Sequence, residues 1–361
     1  MKKFIIAIVI IAAVAFIIYA LWPYLKPTVQ NVIGEPKPTA GITPSPTPNK
    51  RIMAESLKDV VQYWINDSGK ISYLSTEGQV FEIADRGEEK KSDLQNLSNI
   101  NFFESSFEGK FALISIGRNS EALFSVFDFS KNSWQPLPEK TISAAWSPNK
   151  SSIAYLSDLG NISTINILDL DTKKNIEIFK FNQKDLLVEW IMPEEIYLKQ
   201  KPTALALNSI WSINIKNKTI RAIIKDEPGL VVSWSKDGKT GLKFVNSFKE
   251  NYLAAIDKDN RILSTAPAPT LPSKCALEDA VAYCGVPLEI LPGTLLPDDY
   301  FKEKTFFSDS LVAWNINDGS FNTVLGSSES LFEIEKPKKI GNRLFFVNRF
   351  DNKLYSVEIV K

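Results

Sequence analysis

The stretch Ala144–Leu156 has the sequence AAWSPNKSSIAYL and predicts two β-strands joined by a tight turn. Trp146 is a large apolar anchor before the turn. Within the turn, Pro148 fixes φ, and the neighbouring Asn and Ser side chains favour local hydrogen bonds. The residues after the turn, Ile153–Leu156, are apolar throughout, as expected of a strand that packs on both faces.

The same pattern recurs along the chain at a nearly constant interval. Phe102, Trp146, Trp190 and Trp234 are each 44 residues apart. A period of about 40–45 residues is typical of β-propellers, whose blades are four-stranded antiparallel sheets. In this interpretation the tryptophans are core anchors of the blades. The repeat predicts an all-β protein with a seven-bladed β-propeller, and six or eight blades also fit the spacing.

The last blade is expected to be completed by the beginning of the domain. It contains only three predicted strands, at Leu331–Glu335, Arg343–Asn348 and Lys353–Val360. The fourth is expected from Ile52–Leu57. Such sharing closes the ring and hides two sheet edges that would otherwise pair with other chains.

The repeat also resembles a known group. The pattern Trp-Ser-x-Asp/Asn-Gly-Lys followed by Ile-Ala-Tyr resembles the TolB-type, WD-like propeller repeat of bacteria, and the resemblance covers Ile52–Lys361. It implies the fold. The group includes periplasmic propellers that bind partners. It also includes the propeller halves of prolyl-oligopeptidase-type enzymes, whose catalysis lies in a separate hydrolase domain that is not expected here. The whole chain also resembles membrane-anchored bacterial propellers.

Residues 1–26 are predicted to form a transmembrane signal-anchor helix. Phe4–Leu25 is a run of 22 residues without a charge, and a helix of that length spans roughly 33 Å, enough for a bilayer core. Lys2 and Lys3 favour a cytoplasmic N-terminus. The alternative is a cleaved signal peptide, because Ala13–Ala15 has the small-x-small form, although it lies inside the apolar run.

Residues 27–50 are predicted to be a Pro/Thr-rich linker. They contain six prolines, and such a segment prefers extended conformations to a packed core. Residues 51–361 are predicted to form the propeller. The chain is therefore expected to be a single-pass protein of the cytoplasmic membrane. Its N-terminal helix would contact the lipid bilayer, with the propeller on the extracytoplasmic side.

Composition excludes several classes of chemistry. Lys+Arg and Asp+Glu both number 42 and histidine is absent. Nucleic-acid binders usually carry a basic excess, so no nucleic-acid partner is expected. Without histidine, the chain has no Ser-His-Asp triad, Cys-His dyad or His-ligated metal. No cofactor, metal site or catalytic residue is predicted.

Three carboxylate clusters are candidates for calcium sites or acid–base pairs. They are Asp169 with Asp171, Asp257 with Asp259, and Asp298 with Asp299. The first two are interpreted as turn residues, since aspartate is favoured between strands.

Cys275 and Cys284 are the only cysteines. If Asp279 and Ala280 form a two-residue turn, the cysteines face each other across a hairpin in a non-hydrogen-bonded pair with Cα atoms about 4.5 Å apart. That separation is within disulfide reach. An extracytoplasmic location favours the bond, and two reduced, buried cysteines are the alternative.

Blade six carries an insertion at about residues 285–307. Three prolines keep most of it irregular, and long irregular segments in compact domains are often functional. We predict a partner-binding surface whose candidate residues are aromatic, apolar and acidic. They are Leu295, Leu296, Asp298, Asp299, Tyr300 and Phe301. The alternative is a rigid clip over one rim of the ring.

The predicted function is a binding scaffold for a protein or a cell-envelope polymer, without catalysis. The first alternative is a carboxylate-based hydrolase acting on envelope glycans. The second is a structural subunit of a surface assembly. Two carboxylates facing each other across the central channel would favour the hydrolase.

Overall fold

The computed structural model describes residues 51–84, 88–117, 122–247, 250–326 and 331–359. The predicted transmembrane helix and the linker fall outside these residues. Among the helices in the described ranges, none has the length and apolar character needed to cross a membrane.

The described residues form seven four-stranded antiparallel sheets, the blades of a seven-bladed propeller. The chain enters through β1 (Ile52–Ala54). Six blades then follow, each made of four consecutive strands, and the first strand of each faces the central channel.

The first three blades contain the following strands. Blade one comprises β2 (Val60–Ile65), β3 (Ile71–Ser75), β4 (Val80–Ile83) and β5 (Glu89–Lys91). Blade two comprises β6 (Ile100–Ser105), β7 (Phe111–Ile116), β8 (Leu123–Asp128) and β9 (Ser133–Pro136). Blade three comprises β10 (Thr141–Trp146), β11 (Ser152–Asp158), β12 (Ser163–Asp169) and β13 (Asn175–Phe181).

The remaining blades complete the ring. Blade four comprises β14 (Leu186–Met192), β15 (Glu195–Gln200), β16 (Leu207–Asn214) and β17 (Thr219–Pro228). Blade five comprises β18 (Val231–Trp234), β19 (Thr240–Asn246), β20 (Asn251–Asp257) and β21 (Ile262–Thr265). Blade six comprises β22 (Cys275–Glu278), β23 (Val281–Pro287), β24 (Asp309–Asn315) and β25 (Phe321–Leu325). Blade seven comprises β26 (Ile334–Ile340), β27 (Arg343–Asn348) and β28 (Lys353–Glu358), together with β1.

The ring closes as expected. In blade seven β1 pairs with β28, with Ile52 opposite Val357 and Ala54 opposite Tyr355. Strand β28, near the end of the chain, therefore shares a sheet with β1 at the start of the domain, and this pairing covers one edge of each strand.

The first strand of blade seven differs from the prediction of Leu331–Glu335, because β26 extends to Ile340. Pro337 lies inside it, and proline normally argues against a strand because it lacks an N–H donor. Here the strand pairs on one side only, and its register shifts between Glu335 and Lys338. This irregularity accommodates the proline in an innermost strand.

Hydrophobic clusters fill the spaces between neighbouring blades. One joins Leu156 and Ile165 of blade three to Val188 and Leu198 of blade four. Each blade thus buries its apolar faces only against its neighbours, so the ring is needed for the core to be complete.

Candidate functional site

A cavity of about 850 Å³ crosses the central channel. Its wall comes mainly from the first strands of blades two to five, with one residue from blade seven. Consecutive residues of three of these strands line it, at Ile142–Ala145, Leu187–Ile191 and Ser233–Trp234. These strands end their sheets on the channel side. The cavity is therefore bordered by strand edges without a sheet partner.

Four charged side chains of the cavity interact electrostatically. Glu104 comes from β6, Glu189 from β14, Lys199 from β15 and Lys338 from β26. Lys199 Nζ donates to Glu189 Oε1. The charges of Glu189, Lys338 and Lys199 all act on Glu104. Blades two, four and seven thus bring two carboxylates and two ammonium groups to one cavity.

Glu104 has the most perturbed carboxyl group of this cavity. Burial, and next the negative charge of Glu189, raise its pKa to about 7. Its backbone is held in place because Trp146 Nε1 donates to the Glu104 carbonyl oxygen at 2.9 Å. A carboxyl group with a pKa near neutrality exchanges protons readily, which is the property required of a general acid or base.

Lys338 lines the cavity from blade seven. Its Nζ lies 3.4 Å from the Tyr63 carbonyl oxygen and 5.3 Å from the centre of the Tyr63 ring. Burial within the ring lowers its pKa, and the charge of Glu104 opposes that effect. The side chain is nevertheless exposed to the open space of the channel, and water there weakens the effect of burial.

Aromatic side chains form much of the remaining wall. Phe102 and Phe124 have ring centroids 6.0 Å apart, and half-buried Trp190 and Trp234 lie on blades four and five. Trp146 is buried, as predicted for a core anchor. Trp190 and Trp234 are only half-buried, and they also line the cavity. Ligand sites commonly combine such aromatic walls with a few polar groups.

Glu104 and Glu189 were not predicted as site residues from the sequence. The 44-residue spacing matched Phe102 with Trp146, but the turns align differently. The backbone N–H groups of Ser106 and Ser147 each close the turn after the first strand. Aligned on these turns, Glu104 corresponds to Ala145, the residue before Trp146, just as Glu189 precedes Trp190. The turn serine shared by blades two and three aligns Glu104 with Ala145, and the tryptophan spacing aligns Ala145 with Glu189. Together these two sequence signals place both glutamates at equivalent positions of their blades.

The predicted partner-binding residues lie in the segment between β23 and β24, which contains the short helix α1 (Asp298–Phe301). Leu296, Asp298 and Tyr300 are buried. Leu295 and Asp299 are half-buried, and Phe301 is 46% exposed. The prediction of partner binding by this segment stays a prediction, and its exposed portion is smaller than the sequence suggested.

The segment is tied to the two preceding blades. Asp298 accepts hydrogen bonds from the backbone N–H of Ala204 at 2.7 Å and from Thr203 Oγ1 at 3.1 Å, both in blade four. Asn246 of blade five donates to the Leu296 carbonyl oxygen at 2.6 Å. These contacts make the segment a brace across blades four to six.

A buried ionic cluster lies beneath the same segment. Lys274 Nζ lies 2.7 Å from Asp309 and 3.5 Å from Glu333, and Arg349 lies 3.0 Å from Glu333. The Arg349 guanidinium lies 4.2 Å from the centre of the Tyr300 ring. Burial raises the pKa of Asp309 to about 6, and Lys274 opposes that shift. The cluster joins blades six and seven to the segment.

The two cysteines form the predicted disulfide. Cys275 and Cys284 are directly opposite each other in the β22–β23 hairpin, with Cα atoms 4.1 Å apart. Glu278 is opposite Val281, which is the register that a two-residue turn predicts.

The first two carboxylate clusters act as turn residues. Asp169 accepts hydrogen bonds from the backbone N–H groups of Asp171 and Thr172. Asp257 accepts from the backbone N–H groups of Asp259 and Arg261. Within the described ranges, no group of three or more Cys, Asp or Glu side chains is arranged to hold a metal ion.

Known structures with a similar fold belong to proteins of diverse function. No protein-family model matches this chain, and no curated protein matches it. An oligogalacturonate lyase from Vibrio parahaemolyticus is 10% identical, with a TM-score of 0.60 over 86% of this chain and 94% of that chain. The β-propeller domain of the Trilobed protease from Pyrococcus furiosus is 12% identical, with a TM-score of 0.53 over 80% and 91%. TolB from Acinetobacter baumannii is 13% identical, with a TM-score of 0.42 over 80% and 76%. At these identities the first two comparisons show the fold alone, and the overlap with TolB is too low to carry an argument.

Proposed function

We propose that this chain is a membrane-anchored, extracytoplasmic binding scaffold that holds a protein or envelope-polymer partner at its central cavity. The observation that supports the proposal is the cavity itself, in which aromatic walls surround four interacting charged side chains. Such a combination provides apolar contact area together with polar groups that orient a ligand.

The test compares two phenylalanines of blade two. Phe102 lines the cavity and is 38% exposed, whereas Phe107 is 50% exposed and is absent from the cavity wall. Phe102→Ser should abolish recovery of crosslinked partners from native membranes, and Phe107→Ser should leave it intact. Equal recovery with both variants would rule out the cavity as the binding site.

The location forms part of the proposal. It rests on the uncharged run Phe4–Leu25, the preceding Lys2 and Lys3, and the proline-rich linker. Protease added to intact cells should release a soluble fragment beginning within residues 27–50. A domain that stays protected until the cells are lysed would contradict this topology.

The second candidate function is a carboxylate-based hydrolase of envelope glycans. It is favoured by Glu104 and Glu189, which line the same channel in different electrostatic environments. The raised pKa of Glu104 suits a general acid, and Glu189 forms an ion pair with Lys199. Glycoside hydrolases commonly use two carboxyl groups that flank the scissile bond. Release of reducing ends from purified envelope glycans by the wild type, but not by Glu104→Gln, would establish the hydrolase.

A structural subunit of a surface assembly is the third candidate. In that case the same crosslinking should recover other assembly subunits independently of Phe102.

A further inference from the structure

The cavity contains lysine charges that its carboxylates do not neutralise. Lys199 is paired with Glu189. Within the described residues, neither Lys338 nor Lys236, which also lines the cavity, forms an ion pair. The carboxyl group whose charge acts on Lys338 is that of Glu104, and the raised pKa of Glu104 leaves part of it protonated near neutral pH. The local charge therefore favours an anionic group.

The wall of the cavity also suits an extended chain. Its strand edges carry backbone N–H and C=O groups outside any sheet ladder, and an extended peptide can hydrogen-bond to such edges. Part of this capacity is already used, since the Val188 N–H donates to Ser143 Oγ at 3.0 Å. Phe102, Phe124 and the two tryptophans provide apolar surface for side chains of the same peptide.

We propose that the central cavity binds the carboxyl terminus of an extended partner peptide, with the terminal carboxylate at Lys338. This inference rests on the proposed scaffold function and specifies the chemistry of its partner. Lys338 supplies a point charge for the carboxylate. Lys236 adds a second positive charge, and the aromatic wall packs against apolar side chains that precede the terminus.

A peptide terminus accounts for more of the cavity than a small anion does. An inorganic anion would use Lys338 and leave the aromatic wall and the strand edges without contacts. Among the residues that the structure describes, no arginine lines the cavity, so this part of the wall lacks the bidentate fork that commonly recognises phosphate. A chain that ends in a carboxylate uses the lysines, the strand edges and the aromatic groups together.

The experiment compares peptides that differ only at the terminus. The purified full-length chain in detergent is immobilised and exposed to a random hexapeptide library with free carboxyl termini, and separately to the same library with amidated termini. The sequence most enriched from the acid library is then synthesised in both forms for calorimetry. We expect the acid to bind at least tenfold more tightly than the amide, with a preference that weakens as salt is raised.

Two lysines of β26 provide the matched variants. Lys338→Met should remove the tenfold preference, and Lys339→Met, which changes a lysine outside the cavity wall, should retain it. Thermal melts of both variants report on folding. If Lys338→Met does not fold, the inference is judged on the wild type alone. The measurements are then the difference in affinity between the acid and the amide peptide and the dependence of that difference on salt.

Each result supports or overturns the inference. Equal affinity for the acid and the amide, with binding lost in Phe102→Ser, would overturn recognition of the terminus and leave the cavity as the binding site. An unchanged preference in Lys338→Met would place recognition elsewhere. If no peptide is enriched from either library, the inference is overturned. If a crosslinked glycan is then recovered and its recovery depends on Phe102, the scaffold function is retained with a polymer as its ligand. Displacement of the peptide by inorganic phosphate alone at equal concentration would assign the site to a simple anion.

Discussion

The carboxylate of Asp298 accepts a hydrogen bond of 2.7 Å from the backbone N–H of Ala204. Asp298 belongs to α1 in blade six, Ala204 lies between two strands of blade four, and blade five stands between them. One buried side chain therefore connects two blades that share no sheet hydrogen bonds. The segment between β23 and β24 therefore braces the ring, independently of any role in partner binding.

Replacing Asp298 with alanine should lower the free energy of unfolding by about 2–3 kcal/mol, because it removes hydrogen bonds to a charged acceptor and leaves Thr203 and Ala204 without that partner. Urea denaturation measures the change. Asp299→Ala is the control: Asp299 accepts from the Leu295 N–H at 2.8 Å within the same segment, so its loss should cost about 1 kcal/mol. Equal costs would contradict the bracing role.

The same tether predicts a pH dependence. Burial acts to raise the pKa of Asp298, but hydrogen bonds from Ala204, Lys302 and Thr203 outweigh it and hold the pKa below its ordinary value. A carboxyl group whose pKa is lowered in the folded state stabilises the fold at pH values above its unfolded-state pKa of about 3.9. This stabilisation is lost as the pH falls through the folded-state pKa. Asp298→Asn should show a smaller loss below about pH 4 than the wild type.

Bracing and partner binding by the segment should separate in two variants. Phe301→Ser changes an exposed side chain, so its stability should stay within about 0.5 kcal/mol of the wild type. Its recovery of crosslinked partners should fall if the segment is a binding surface. Leu296→Ala changes a buried side chain, so it should cost about 2–5 kcal/mol while partners are still recovered. Full recovery with Phe301→Ser would limit the segment to bracing.

Lys274→Met should be strongly destabilising. The Lys274 and Asp309 side chains are almost completely buried, and removing one partner leaves an uncompensated carboxylate, at a cost of about 3–5 kcal/mol. Lys58→Met is the matched control, because its pair with Glu77 is exposed and contributes at most about 1 kcal/mol. Chemical denaturation compares the two, and similar costs would show that the buried cluster is not a stabilising unit.

The Cys275–Cys284 bond should persist in protein isolated from its native cells. Mass spectrometry after alkylation under denaturing, non-reducing conditions should find no free thiol, and two alkylated cysteines would refute the bond. In the chain-entropy treatment, a closed loop this short contributes about 2.7 kcal/mol. Because the hairpin is already compact, the double serine variant should lose less than that.

Glu104→Gln should flatten the dependence of stability on pH between about pH 4 and 7. The groups whose charges act on Glu104 are Glu189, Lys199 and Lys338. Because the folded-state pKa of Glu104 is raised to about 7, the folded protein binds more protons than the unfolded chain. The contribution of Glu104 to the free energy of unfolding is most favourable below its unfolded-state pKa of about 4.3. This contribution declines as the pH rises toward 7. Thermal melts across this range should show the decline in the wild type and not in the variant.

The blades and the disulfide register were accessible from sequence because they depend on neighbours in the chain. A turn at Asp279 and Ala280 sets every facing pair of its hairpin, since strand side chains alternate with a period of two. The turn signals and apolar runs repeat blade by blade, and they predict seven sheets without information from distant residues. The missing strand of blade seven could also be inferred, because an incomplete sheet at one end requires a strand from the other.

The sequence by itself determined the propeller, its closure and the pairing of Cys275 with Cys284. Only the tertiary structure brought Glu104, Glu189 and Lys338 to one cavity, buried half of the predicted partner-binding residues and extended β26 through Pro337. The physical reason is that these outcomes depend on where separate blades meet. An inner-strand glutamate or lysine has the same local sequence signal whether it faces a neighbouring blade or the channel, and the curvature of the closed ring decides which groups share that space.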